Sequence, residues 1–260
     1  FISNGGYDFT ASLVAPARVA GSSTFQQLAY PNAGSPQNEP EKRNPYFNDA
    51  VYEKIEAART ARLGRLIRRS TLPLETRQLE QLQTVRSEEN NLNRLVDALP
   101  ERVSNGLAGQ AEIAVASFIS GLAVSANLSM GGFDTHGNHD RDHGRRLTEL
   151  LAGIDHLWEQ IEASGLQNKV TVVVGSDFGR TPFYNSNRGK DHWNVTSVMA
   201  MGAGVRGNRV IGGTDANFEA LTINPQTLKP DPDGIILTPE HLHLALRDLA
   251  GVQSDLGLQF

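Results

Sequence analysis

Apolar residues recur at helical spacing along much of this 260-residue chain, and unbroken apolar runs appear at a few short places. From Asp49 to about Leu99 the spacing predicts helix, with Val51, Ile55, Leu63, Leu66 and Ile67 along one face. Pro73 interrupts it, because proline removes a helix hydrogen bond and clashes one turn back. A second helix follows, striped by Leu79, Leu82, Leu92, Leu95, Val96 and Leu99. Past Gly109, "QAEIAVASFISG" reads as a buried helix and "LAVSANLS" as a strand. Leu147, Leu150, Leu151, Ile154, Leu157, Trp158 and Ile161 then make an amphipathic helix, closed by Gly165. "KVTVVVG" has the β-branched density of a strand buried on both faces, and "VTSVMAMGAG" reads as another strand. "TPEHLHLALRDLAG" opens as a capped helix at Thr238, Pro239 and Glu240. Ahead of all these, "FIS" is a stub of strand running into the loop "NGGYDFTAS", and residues 30–48 are an irregular excursion rich in Pro, Asn, Gly and Ser.

Strand, helix, strand, loop, strand is the pattern of an α/β fold. The expectation is a largely parallel central sheet flanked by helices, in one domain over 1–260, with a helical insertion at about 49–99.

Composition narrows the function classes. Hydrophobic content of 39% and charged content of 20% are ordinary for a globular protein. A net charge of −5 argues against nucleic-acid binding by the general surface. Without cysteine there are no disulfides, no Cys-ligated zinc and no thiol catalysis. The best apolar run, Ile113 to Ala126, is too short for a transmembrane segment. The chain begins with Phe1, so a processed or partial product is expected, with any signal segment outside it.

Polar clusters sit where the chemistry of an open α/β sheet belongs, beyond the carboxyl ends of strands. They are "NGGYDFTAS", "GGFDTHGNHD" and "SDFGRT", with "GKDHWN" in the loop before the next strand. On a parallel sheet they gather at one edge, converging Asp8, Asp134, His136, Asp177, Asp191 and His192. Carboxylate oxygens mixed with imidazole nitrogens suit a divalent metal such as zinc, manganese or iron. Arg180 is expected either to pair with Asp177 or to clamp an anionic substrate.

Blander readings compete for the other residues. His139, Asp140, Asp142 and His143 fit the start of the following helix, with Asn138 or Asp140 as its cap. His156, His241 and His243 read as structural. The arginine run Arg59, Arg62, Arg65, Arg68 and Arg69 reads as a solvated helix face. In the plainest alternative, all the Asp and His residues only cap helices and pair with arginine.

"GGFDTHGNHD", "SDFGRTPFYNSNRGKDHWN" and "GAGVRGNRVIGG" resemble the DUF1501 family, and "NGGYDFTASLVAP" resembles its opening motif. The resemblance implies kinship with alkaline phosphatases and sulfatases, and export to the periplasm or beyond. It implies an α/β sandwich with a metal at the strand ends, cleaving phosphate or sulfate esters through a Ser, Thr or formylglycine nucleophile. By position it assigns Asp8, Asp134, His136, Asp177 and His192, with Asp191, to the metal. Thr10 and Ser12 follow Asp8 as candidate nucleophiles, and Arg180 or Lys190 would offset oxyanion charge. The metal is expected to be zinc ahead of manganese, calcium or iron, and the substrate a small anionic ester or a sulfated or phosphorylated glycan. One departure stands out: Phe178 follows Asp177 where the superfamily has histidine, which removes one ligand of a two-metal site. The alternative function is a non-catalytic cell-surface binding or scaffold protein.

Overall fold

The computed structural model describes residues 2–3, 17–18, 32, 45–86 and 92–251. The chain divides into two compact units, Phe1–Met130 with Leu150–Gln160, and Gly131–Glu149 with Ile161–Phe260.

In the first unit, helix α1 (Asp49–Arg69) starts at Asn48, whose side chain accepts the Val51 N–H at 3.0 Å. Asp49 in its first turn and Arg68 and Arg69 in its last complement the helix dipole. The sequence stripe is only partly a core face: Leu63 is buried, whereas Val51 and Leu66 are 40% and 42% exposed. Pro73 begins helix α2 (Pro73–Arg86), at the position where its missing N–H costs nothing. Residues 87–91 of the expected second helix lie outside the described residues; its later part is α3 (Leu92–Ala98), which supplies the buried Leu95 and Val96.

Helix α4 (Gly106–Ile119) is the buried helix its composition foretells, with Ala111, Ala114, Val115 and Ala116 in the core. It lies close to α5 (His139–Ala163): a Cβ on Gly153 would come within 2.5 Å of Leu107. Ile154 and Leu157 extend this core. One charge is buried here. Glu112 accepts hydrogen bonds from the Ser104 N–H at 2.8 Å and its hydroxyl at 2.7 Å, and pairs with His156 Nε2 at 3.0 Å. His156 is thus structural, as read from its apolar neighbours.

The second unit contains both ends of α5. Asn138 precedes the helix at φ 46°, and its carbonyl accepts the Asp142 N–H. Gly165, at φ 68°, closes the helix, and the Leu166 N–H reaches back to the Ile161 carbonyl. Strands β4 (Thr171–Val174) and β7 (Met199–Gly202) pair antiparallel, as do β5 (Gly179–Arg180) and β6 (His192–Trp193). Helix α6 (Pro239–Leu249) begins with a capping box between Thr238 and His241, which gives His241 its structural role.

The expected largely parallel central sheet is not formed. Among the described residues, parallel pairing is confined to the two-residue strands β1 (Ile2–Ser3), β2 (Ala17–Arg18) and β3 (Ala126–Asn127). The remaining strands make short antiparallel pairs. The reason lies between β4 and β7. A parallel pair needs a crossover, usually a helix, but residues 175–198 hold the β5–β6 ribbon and no helix, so the chain returns antiparallel. Val173 is accordingly 39% exposed rather than covered on both faces. "LAVSANLS" contributes only Ala126–Asn127, and Val124 within it is almost wholly exposed.

Burial alone pushes the Glu112 carboxyl up, but the Ser104 hydroxyl and N–H, with His156, outweigh it and leave it below the ordinary value. A lowered folded value means a contribution to stability that is present above the unfolded value and lost as pH falls through the folded one. Glu112→Gln should therefore cost about 2 kcal/mol at neutral pH. It should also flatten the acid limb of stability, both read by urea denaturation across pH. An acid limb unchanged from wild type would contradict this.

Candidate metal centre

Two loops of the second unit build the site, and their backbones touch. The Lys190 N–H donates to the Thr135 carbonyl at 3.1 Å, and the Asn138 and His139 N–H groups donate to the Asn187 and Arg188 carbonyls. Gly189 makes this possible, because a Cβ there would overlap the carbonyl of His136 and the nitrogen of Gly137. The Asn185 side chain fastens the same corner. Its amide donates to the His136 carbonyl at 3.1 Å and to Asp191 Oδ1 at 3.0 Å. Its oxygen accepts from the Asn187 and Gly189 N–H groups. In the β5–β6 ribbon Arg180 stands opposite His192, so both project to one face, and Gly179 stands opposite Trp193.

The loops bring Asp134, His136 and His192 together as a group able to hold a metal ion. His136 Nε2 lies 2.9 Å from Asp134 Oδ1 and 3.3 Å from His192 Nε2, and His192 Nε2 lies 3.4 Å from Asp134 Oδ1. Metal–donor distances of about 2.0–2.2 Å at tetrahedral angles separate ligand atoms by about 3.3–3.5 Å. The triangle is close to that size. The other ring nitrogen of His136, Nδ1, is 2.8 Å from Asp191 Oδ1. If Nδ1–H donates there, the lone pair of Nε2 faces the Asp134 oxygen and the His192 nitrogen. A cation resolves such a convergence of lone pairs, and a carboxylate behind the imidazole is the usual support of a metal-ligating histidine. The donor set and its support therefore fit a divalent metal.

Three further contacts shape the triangle. Arg180 Nη2 donates to Asp134 Oδ1 at 2.7 Å, and Nη1 donates to the Lys190 carbonyl at 3.1 Å. Phe178 stacks on the His192 ring, with centroids 3.9 Å apart and planes 25° apart, and the Arg180 guanidinium lies 5.6 Å from the Phe178 centroid. Arg180's hydrogen bond, then that of His192, holds the Asp134 carboxyl below its ordinary value; His136, then Asn185, does the same for Asp191. The site is open: the side chains of Asp134, His136 and His192 are 72%, 45% and 52% exposed, while that of Arg180 is 12% exposed.

The remaining sequence candidates fall as follows. Asp8, Thr10 and Ser12 lie outside the described residues. Asp177 is exposed and is not part of the metal-capable group. Arg180 pairs with Asp134, not with Asp177. The Lys190 ammonium lies 5.0 Å from the centroid of the Tyr184 ring and donates to the Pro182 carbonyl at 3.4 Å. Asp191 stands on His136 Nδ1, behind the triangle. His139 and His143 stack on each other at 4.5 Å in the first turns of α5, and His139 Nδ1 meets the buried Thr135 hydroxyl at 2.7 Å. They belong to the helix start, as the blander reading has it. Asn185 and the stacking role of Phe178 escaped the sequence reading. The turn-forming run "NSNRG" was the available signal for the first. Phe178 was visible only as a missing histidine.

Gly189→Ala should separate the two loops, at a cost of about 1–3 kcal/mol, and break the His136–Asp191 hydrogen bond. Imidazole nitrogen NMR reads the bond directly; an unaltered His136 Nδ1 signal in a folded variant would refute this account of the glycine.

No curated protein and no solved structure matches the chain. The family described as a protein of unknown function (DUF1501) matches residues 48–229, more than two-thirds of the sequence and all of Asp134, His136, Arg180, Asp191 and His192. The chain therefore belongs to the DUF1501 family.

Proposed function

We propose that Asp134, His136 and His192 hold one divalent metal and that the site hydrolyses small anionic esters of phosphate or sulfate, glycan esters included. The convergence of these donors, with Asp191 behind His136, is the observation that carries the reading. Two imidazoles and a carboxylate favour zinc over manganese, iron or calcium, calcium least because it prefers an all-oxygen shell. When bound, such an ion supplies Lewis acidity toward an ester oxygen. The protein's own groups do the rest. Asp191 holds the tautomer and aim of His136, Phe178 holds the plane of His192, and Arg180 offers a planar pair of donors to an anionic ester. Action outside the cytoplasm belongs to the same reading; among the described residues no helix is long and apolar enough to cross a membrane.

One observation favours a second reading. The Arg180 guanidinium already neutralises Asp134, which suits a non-catalytic surface that binds anionic groups without turning them over. A panel of aryl phosphates and sulfates separates the two. Hydrolysis abolished by chelator and restored by zinc supports the enzyme, while saturable binding without product supports the scaffold.

Protein purified without chelator should carry about one metal per chain by elemental analysis, and Asp134→Ala with His136→Ala should lose it while keeping its circular dichroism. A wild-type chain that takes up no metal at saturating zinc would defeat the proposal. Asp191→Ala should weaken zinc binding by about 10–100-fold with the fold retained, and an unchanged affinity would remove Asp191 from its supporting role.

A further inference from the structure

Asp134 Oδ1 serves two masters. It is the oxygen that closes the triangle, at 2.9 Å from His136 Nε2 and 3.4 Å from His192 Nε2. It is also the oxygen that accepts from Arg180 Nη2 at 2.7 Å, and Arg180 Nη1 stands 3.5 Å from His136 Nε2. The guanidinium therefore lies along one edge of the group that would take the metal, sharing two of its three donor atoms. A divalent ion and this guanidinium are both cations seeking the same oxygen, and Coulomb repulsion between them opposes joint occupancy. The arginine is also restrained, with its side chain largely covered, Nη1 anchored on the Lys190 carbonyl and the group facing the Phe178 ring.

We infer that Arg180 competes with the metal for Asp134, so that metal binding frees the guanidinium to hold a tetrahedral oxyanion. This rests on the metal reading above and adds regulation to it. Without metal the guanidinium is spent on Asp134 and the surface has low affinity for sulfate or phosphate. With metal the Asp134 charge is taken, and Arg180 regains its Nη2 donor for an anion. Linkage makes the effect reciprocal: an oxyanion that draws Arg180 away raises metal affinity by the same factor that metal raises oxyanion affinity. Anionic substrate would thus recruit the metal to the site.

The test measures zinc affinity by competition calorimetry in wild type, Arg180→Gln and Lys190→Met, with and without inorganic sulfate. Removing the competitor should tighten zinc binding by about tenfold or more, a coupling in the usual range. Lys190→Met removes an equal charge that does not touch Asp134, and should change it by no more than about twofold. Sulfate should tighten zinc binding in wild type and lose that effect in Arg180→Gln. Equal or weaker zinc binding by Arg180→Gln, or an equal gain in Lys190→Met, overturns the competition and leaves the metal site standing. No zinc binding by either removes the metal reading, and this inference with it. If Arg180→Gln does not fold, arginine side-chain nitrogen NMR of the unaltered chain decides. Zinc must shift the Arg180 guanidinium signal and sulfate must shift it again; a signal indifferent to zinc overturns the proposal.

Discussion

The site depends on one close approach, in which the backbone of Gly189 lies against the peptide joining His136 to Gly137. The group able to hold a metal ion is arranged across that contact. It brings Lys190 N–H to the Thr135 carbonyl, which fixes the residue between Asp134 and His136. It places Asp191 beside His136 Nδ1 and, one residue later, His192 beside His136 Nε2. The physical requirement is steric: only a residue without a side chain allows two main chains to come so near. Asn185 then satisfies the polar groups that the contact leaves over, with both ends of its amide used.

The two histidines are oriented by different forces. His136 is held by its hydrogen bond to the Asp191 carboxylate, His192 by the flat face of Phe178. A hydrogen bond fixes which nitrogen carries the proton, whereas a stack fixes only the plane. Arg180 joins these arrangements, since it contacts the Asp134 carboxylate, faces Phe178 and bonds the main chain at Lys190. The Asp134 carboxylate of the open face is thus met by a guanidinium on a largely covered stem.

The elements whose periodicity was strong are the ones that formed. The α5 stripe, Gly165 as its stop, buried α4 and the Thr238 cap all follow from local spacing and chemistry. Strand direction did not follow, because an apolar run such as "TVVV" has the same composition whichever way its partner runs. The pairing of β4 with β7 was decided by the helix-free loop between them. The residues of the candidate site were legible as Asp134, His136 and His192, with Asp191 and Arg180 beside them, but their contacts were not. Their expected meeting on a parallel sheet edge was the wrong route to the right neighbours. They meet because an antiparallel ribbon and a glycine contact bring the loops together. Nothing in spacing announces that Asp191 stands behind His136, since adjacent residues in "DHW" point to different sides of the chain.

The exposure of the triangle has a kinetic consequence. With Asp134, His136 and His192 all about half-exposed or more, no lid or narrow mouth formed by these side chains has to open before a ligand arrives. Arrival is then governed by diffusion and by local charge, and discrimination among ligands falls on how long each one stays. On the proposed reading, residence time falls to Arg180 and to the open triangle itself, since no door stands in front of them for a ligand to pass.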